Sequence, residues 1–219
     1  MTSDSRYVIA IDGPAASGKS SVARELAARL GFVYVNSGAI YRAITWHALA
    51  RGIDPADADG IAGLAENSRI ICRIVNRASQ VLIDQVDPTE HLRDPQVNRE
   101  VSRISAIRRV RKIVDERLRD CARHYDLVVE GRDIGSAVFP GTPYKFYIDA
   151  SPEVRIRRRA AEGQLDQIAL RDQADSSRPA APLVIAEDAL VIDSSHLTID
   201  GVVGEIVGRL KMKGLPTLA

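Results

Sequence analysis

Five short apolar runs bounded by turn-forming residues punctuate the chain: Tyr7–Ile11, Phe32–Val35, Leu127–Val129, Lys145–Ile148 and Leu190–Ile192. Between them the apolar positions recur at helical spacing. Val22, Leu26 and Leu30 are four apart and share one face of a helix over Ser20–Leu30, which Gly31 ends. Ile40–Leu49 and Val110–Cys121 carry a similar pattern, and Ile199–Leu210 closes the chain as an amphipathic helix. Strands alternating with helices predict an α/β fold, a parallel sheet flanked by helices. The alternation breaks between about Ile70 and Gln96. There, Ile70–Val75 and Gln80–Ile83 alternate around Asn76-Arg-Ala-Ser79, which predicts a β-hairpin in place of a crossover helix and an inserted subdomain carried over the sheet.

The first strand runs into Gly13-Pro14-Ala15-Ala16-Ser17-Gly18-Lys19-Ser20-Ser21 and then into the first helix. Strand, glycine-bounded loop and helix in that order make a P-loop. Its backbone N–H groups must wrap phosphate oxygens, so glycine is needed where the chain turns tightly against the ligand. Lys19 supplies charge to the β and γ phosphates, the Ser20 hydroxyl is placed to ligate Mg²⁺, and the helix N-terminus offers free N–H groups to the anion. The chain therefore handles a nucleoside triphosphate. Asp126-Leu-Val-Val-Glu130 is a strand ending in a carboxylate, which suits a second, indirect Mg²⁺ contact by Glu130 at the same sheet edge.

Composition narrows the class. A length of 219 residues, 45% apolar and 27% charged, fits a globular protein with one good core and an insertion. A net charge of +1 gives no general pull toward nucleic acid or a membrane surface. No apolar run approaches the ~18 residues of a membrane span, so a cytoplasmic monomer is expected. Cys72 and Cys121 lack the spacing of a metal motif and read as ordinary thiols.

A P-loop serves hydrolysis, a switch or transfer to an acceptor, and the arginines bear on which. Transfer brings two polyanions together and needs guanidinium groups beyond the P-loop lysine. Ser37 and Arg42 follow the second strand, at the ligand-binding edge of the sheet, and Arg132 and Asp133 follow the Glu130 strand between two glycines. Arg155, Arg157, Arg158 and Arg159 crowd one predicted helix, where like charges repel unless an anion joins them. Arg171, Asp175 and Arg178, at spacings of four and three, share a helix face, an arrangement that also suits a solvated salt-bridge face.

These segments resemble the bacterial cytidylate kinases of the P-loop nucleoside monophosphate kinase superfamily. The resemblance is carried by Asp12-Gly-Pro14, the P-loop, Asn36-Ser-Gly-Ala-Ile-Tyr-Arg42, Glu130-Gly-Arg-Asp-Ile-Gly135, Val138-Phe-Pro140, Asp149-Ala-Ser151, Arg171-Asp172 with Asp175 and Arg178, Ala181-Pro-Leu183 and Asp193-Ser-Ser195. They run in family order over nearly the whole chain. The resemblance implies transfer of the ATP γ-phosphate to CMP or dCMP, giving CDP or dCDP and ADP, with Mg²⁺ accompanying ATP. It implies a core of residues 1–66, 104–153 and 179–219, an acceptor-binding insertion over 67–103 and a lid over 154–178. It places Ser102, Arg111 and Asp133 at the cytosine, Arg42 and Arg132 at the acceptor phosphate, and Ser37, Arg171, Asp175 and Arg178 near the acceptor's phosphate and sugar. Arg155, Arg158 and Arg159 fall in the lid. With Lys19 and Arg132 they form the implied catalytic set. No general base is needed, because a phosphate monoester with a second pKa of about 6 is already largely anionic at neutral pH.

A kinase for another small acceptor would lack a reason for Asp133 beside Arg111, and a protein-binding switch would not need acceptor-side arginines in three loops. Two departures from the family pattern stand out. Glu130 occupies a position where the family usually carries Asp, and the segment from Ala160 to Leu170 is short for a lid. A shorter lid excludes water less completely, so ATP hydrolysis without acceptor is expected to exceed that of a long-lid relative; a low background in an ADP-release assay would refute this.

Overall fold

The computed structural model describes residues 6–161, 163, 168–178 and 180–215. Its centre is a seven-stranded sheet in the order β3-β4-β2-β5-β1-β6-β7. The strands are β1 (Val8–Asp12), β2 (Val33–Asn36), β3 (Ile70–Val75), β4 (Ala78–Ile83), β5 (Leu127–Gly131), β6 (Tyr144–Asp149) and β7 (Leu190–Asp193). The five expected strands form the parallel part, each within a residue or two of its expected limits. Between the strands run the helices α1 (Lys19–Leu30), α2 (Ser37–Ala50), α3 (Ala58–Asn67), α4 (Pro95–Ser105), α5 (Arg108–His124), α6 (Pro152–Ala161), α7 (Ile168–Ser176) and α8 (Ile199–Met212).

Each central strand is buried on both faces, so alternate residues feed two separate cores. On one side Ile9, Ile11, Phe146 and Ile148 pack with Val22, Leu26 and Leu30 of α1 and Val203, Ile206 and Leu210 of α8. On the other, Ala10, Val33, Val35, Leu127 and Val129 pack under α2 to α5. Gly31 ends α1 in the left-handed region at φ 70°, with its N–H on the last-turn carbonyls of Ala27 and Ala28. Cys72 and Cys121 are free thiols within and beside the second core.

The hairpin is present, but its turn is two residues rather than the expected four. Asn76 and Arg77 both adopt positive φ, 49° and 59°, which lets β4 begin at Ala78. β4 also joins the main sheet, through the single pair Tyr34↔Ala78, so the hairpin extends the sheet's edge as well as projecting from it. Helices α3 and α4 flank this region and have no counterpart among the elements expected from periodicity. A third difference is the end of α7. The helix stops at Ser176, so Arg178 lies past its C-terminus rather than on the shared helix face, although it still reaches Asp175. Part of the expected short lid segment, residues 162 and 164–167, lies outside the described residues.

Phe146 on β6 is among the largest fully buried side chains. Phe146→Ala is expected to destabilise the protein by about 3–5 kcal/mol through lost burial and a residual cavity, measured as a shift in the denaturant midpoint at unchanged slope.

Candidate active site

The C-terminal ends of β1, β2 and β5 open into one cleft of roughly 600 Å³. The P-loop forms one wall. Gly13, at φ 152°, passes so close to β6 that a Cβ there would stand 2.1 Å from the Ile148 carbonyl oxygen, so only glycine allows the approach. Gly18 sits in the left-handed region at φ 88° and caps α1, whose free N–H groups face the loop. Lys19 folds back over the loop and donates from Nζ to the Pro14 carbonyl at 2.8 Å. The Ser20 hydroxyl donates to Glu130 at 2.6 Å, and the Tyr34 hydroxyl donates to the other Glu130 oxygen. Glu130 is only 2% exposed. Burial and the adjacent carboxylate push the Tyr34 phenol above its ordinary range, so it remains a donor at neutral pH. With its proton committed to Glu130, the Ser20 oxygen keeps lone pairs for a hard cation, an oxygen donor of the kind Mg²⁺ prefers. No group of three or more His, Cys, Asp or Glu side chains suited to a metal occurs among the described residues.

The opposite wall is built on α2, α4 and the turn after β5. Asn36 caps α2 by accepting from Ala39 N–H, which starts the helix three residues earlier than periodicity suggested and brings Ser37 to the cleft. Ser37 then donates to the Glu130 carbonyl at 2.7 Å. Arg42 is held by the Leu92 carbonyl at 2.6 Å and Asn98 at 2.7 Å, and its guanidinium lines the opening. Asp175, reaching in from α7, accepts from Arg132 at 2.9 Å, Arg178 at 2.5 Å and Ser102 at 3.2 Å. One buried carboxylate therefore gathers three of the expected acceptor residues.

Two expected residues stand elsewhere. Arg111, 5% exposed, lies behind the cleft wall: it pairs with Asp133, donates to the Ser105 carbonyl at 3.1 Å and sits 5.6 Å from the centre of the Tyr41 ring. Asp133 itself lines the cleft. Burial pushes its carboxyl up to about 6 against the opposing pull of Arg111. Arg155 likewise does not line the cleft. It donates to the carbonyls of Ala150 and Ala15, at 3.1 and 3.3 Å, and pairs with Asp172, whose other oxygen accepts the Ala15 N–H at 3.2 Å. Arg158 and Arg159 do line it, Arg158 being held by the Ser17 carbonyl at 3.2 Å and by Ser194. Arg171 belongs to α7, and its side chain lies outside the described residues.

Four contributors were assigned no role from the sequence, although Asp12, Asp172 and Ser194 stand within its motifs. Tyr34, Asp172 and Ser194 hold other cleft residues, and Asp12 accepts the backbone N–H groups of Ile134 and Gly135. Asp12 ends a strand directly before the P-loop and opens the Asp12-Gly-Pro14 motif, and these were the signals available for it. The other three are placed by contacts distant in sequence.

Comparison with known proteins identifies the family. The family model described as cytidylate kinase matches residues 9–212. A cytidylate kinase of Desulforamulus reducens is 41% identical over 210 residues, covering 91% of this chain and 94% of its own length. One from Thermus thermophilus is 41% identical over 212 residues, covering 94% and 99%, and one from Streptomyces avermitilis is 39% identical over 215, covering 94% and 93%. The matched span takes in both walls of the cleft, and the chain belongs to the cytidylate kinase family.

Proposed function

We propose that the cleft binds ATP on the P-loop wall and CMP or dCMP on the Arg132–Asp133 wall, and passes the γ-phosphoryl group between them to give ADP and CDP or dCDP. The observation that carries this reading is the meeting, in one cleft, of a complete P-loop with Arg42, Arg132, Asp133 and Asp175. Residues 67–103 serve as the acceptor-side insertion and 154–178 as the lid, with the remainder as core.

Lys19 and the loop of residues 13–21 hold the β and γ phosphates, the loop through its backbone N–H groups from Ala16 onward, since Pro14 has none and the Ala15 N–H is taken by Asp172. Arg42 and Arg132 bind the acceptor phosphate and bring its oxygen toward the γ-phosphorus, with Ser37, Arg171, Asp175 and Arg178 around the acceptor's phosphate and sugar. Arg158 and Arg159 face the transferring group from the lid and offset its charge, while Arg155 acts through the loop by fixing α6 to Ala15. Mg²⁺, when bound, neutralises β- and γ-phosphate oxygens; Ser20 would hold it directly and Glu130 through Ser20 or a coordinated water. Asp133 accepts from the cytosine amino group, Ser102 turns its one hydroxyl proton from Asp175 to the ring, and Arg111 holds the Asp133 carboxylate in place. Uracil has no amino donor at that position, so its binding leaves Asp133 with Arg111 but without a donor from the base. The reaction belongs to pyrimidine nucleotide metabolism and is assigned to the cytoplasm; among the described residues no helix is long and apolar enough to cross a membrane.

An ADP-release assay with ATP and Mg²⁺, run with CMP, dCMP, UMP, AMP or no acceptor, tests the reading. Strong turnover is expected with CMP and dCMP and little with the others; equal slow turnover in all five would overturn it.

Base selectivity is expected to depend on pH. The Asp133 carboxyl, raised to about 6, is ionised above that value and protonated below it. Ionised, it accepts from cytosine; protonated, it loses that role and donates to the uracil carbonyl instead. The ratio of kcat/KM for CMP over UMP is therefore expected to be highest above pH 7 and to fall as pH drops through 6. The acceptor phosphate also titrates near 6, but it is common to both substrates and cancels in the ratio. A ratio constant from pH 5 to 8 would remove Asp133 from base readout.

A further inference from the structure

The donor and acceptor walls share one root. Asp12 is the last residue of β1, directly before Gly13, and its backbone lies in register with Gly131, the last residue of β5. Its side chain reaches past the strand end, where Oδ1 accepts the Ile134 N–H and Oδ2 the Gly135 N–H, each at 2.8 Å. Arg132 and Asp133 are thus suspended on a two-residue span. Strand pairing at Gly131 anchors one end, and the Asp12 carboxylate anchors the other.

The surroundings leave this span little slack. A Cβ at Gly131 would stand 2.6 Å from Ser37 Oγ and 2.7 Å from the Ile134 side chain, so the turn is pressed against α2 at its start. At its far end a Cβ on Gly135 would stand 3.1 Å from the Lys145 side chain and 3.4 Å from Asp12 Oδ2. The turn continues as one π-type turn, Ile134–Val138, whose first two N–H groups are the ones Asp12 receives. Burying a carboxylate there carries a desolvation cost, and the two N–H groups offset part of it. Asp12 also faces the positive charges of Lys19 on the donor side and Arg132 on the acceptor side.

We propose that Asp12 is a positioning residue for phosphoryl transfer, tying the acceptor turn to the root of the P-loop so that Arg132 and Asp133 keep a fixed place relative to Lys19. It touches neither nucleotide. The role rests on the reading that Arg132 and Asp133 contact the acceptor. In-line transfer tolerates little misplacement between donor and acceptor, so loosening this tie acts on acceptor use and leaves the phosphate-binding loop intact.

Asp12→Asn keeps the side chain's volume but turns one acceptor into an NH₂ facing an N–H, which releases one end of the turn. The expected result is a rise of about tenfold or more in the KM for CMP with a smaller CMP-over-UMP preference, while calorimetric affinity for a non-hydrolysable ATP analogue changes by less than about twofold. Parallel loss of both nucleotides would reduce Asp12 to general support of the core, and unchanged acceptor kinetics would remove its role; either overturns the proposal. Gly135→Ala sets a methyl 3.1 Å from the Lys145 stem, which the bonds of its ammonium to Pro140 and Asp188 hold in place, and so presses the Gly135 end of the turn off Asp12 without touching the P-loop. It is expected to give the same acceptor-selective pattern, and it decides alone if the Asp12 variant does not fold, an unchanged KM for CMP then overturning the proposal. Arg132→Ala and Asp133→Asn run alongside. If neither alters acceptor use, the cleft reading itself fails; if they do while Asp12→Asn and Gly135→Ala do not, only the Asp12 role falls.

Discussion

A site that holds a nucleoside triphosphate beside a nucleoside monophosphate must keep many guanidinium groups within a few ångströms of one another, and their mutual repulsion is the constraint around which the cleft is built. Buried carboxylates meet it. Asp175 draws in Arg132 and Arg178, Asp133 takes Arg111, and Asp172 takes Arg155. Buried pairs of this kind gain little net stability, because desolvation consumes most of the Coulombic attraction. Their effect is directional: each carboxylate fixes where a guanidinium points and lowers the cost of holding it ready. Asp175 accepts from Ser102 as well, so α4, α7 and the turn after β5 converge on one acid.

The sheet supplies the frame for that charge pattern. In a parallel sheet all strand C-termini open on one edge, so β1, β2 and β5 deliver the P-loop, the Ser37 helix and the Arg132 turn to the same place. Register refines this. Asp12, Asn36 and the Glu130–Gly131 pair lie level with one another, which sets Glu130 between Ser20 and Tyr34 and lets Ser37 reach the Glu130 carbonyl. Glu130 is satisfied at both oxygens. Its carboxylate accepts from the Ser20 hydroxyl, and Tyr34, from the neighbouring strand, satisfies the second oxygen that would otherwise be buried alone.

Much of this was legible in the chain before any coordinates. The parallel strands are continuous apolar runs, the P-loop is local in sequence, and the residues that line its wall follow directly. Local signals failed where distant contacts decide. The early start of α2 depends on the Asn36 cap, a polar feature that apolar periodicity ignores. The two-residue hairpin turn rests on Asn76 and Arg77 accepting positive φ, and Arg77 is not a residue that announces this. Arg178 looked helical from its spacing to Asp175, yet the helix stops at Ser176 and the same ion pair forms from the following segment. Tyr34, Asp172 and Ser194 support the cleft through partners far along the chain, and no spacing rule reaches them.

Arg111 changes the physical account of base recognition more than any other displaced residue. Had it lined the cleft, a cation and an anion would have read the cytosine side by side, and both would have been screened or exposed together. Placed behind Asp133, it would act on the base, in the proposed reading of the cleft, only through the carboxylate. Selectivity then depends on a balance at one group: burial and the nearby acids Asp12 and Asp115 favour the protonated form, while Arg111 and Arg178 favour the ionised one. Neutral pH leaves Asp133 an acceptor, but with a narrow margin. The Tyr41 ring under the Arg111 guanidinium and the Ser105 carbonyl at its edge hold the cation where it stays effective. The proposed cytosine readout would thereby be tied to the packing of α2, α4 and α5 on the second core, so that changes well outside the cleft would reach it.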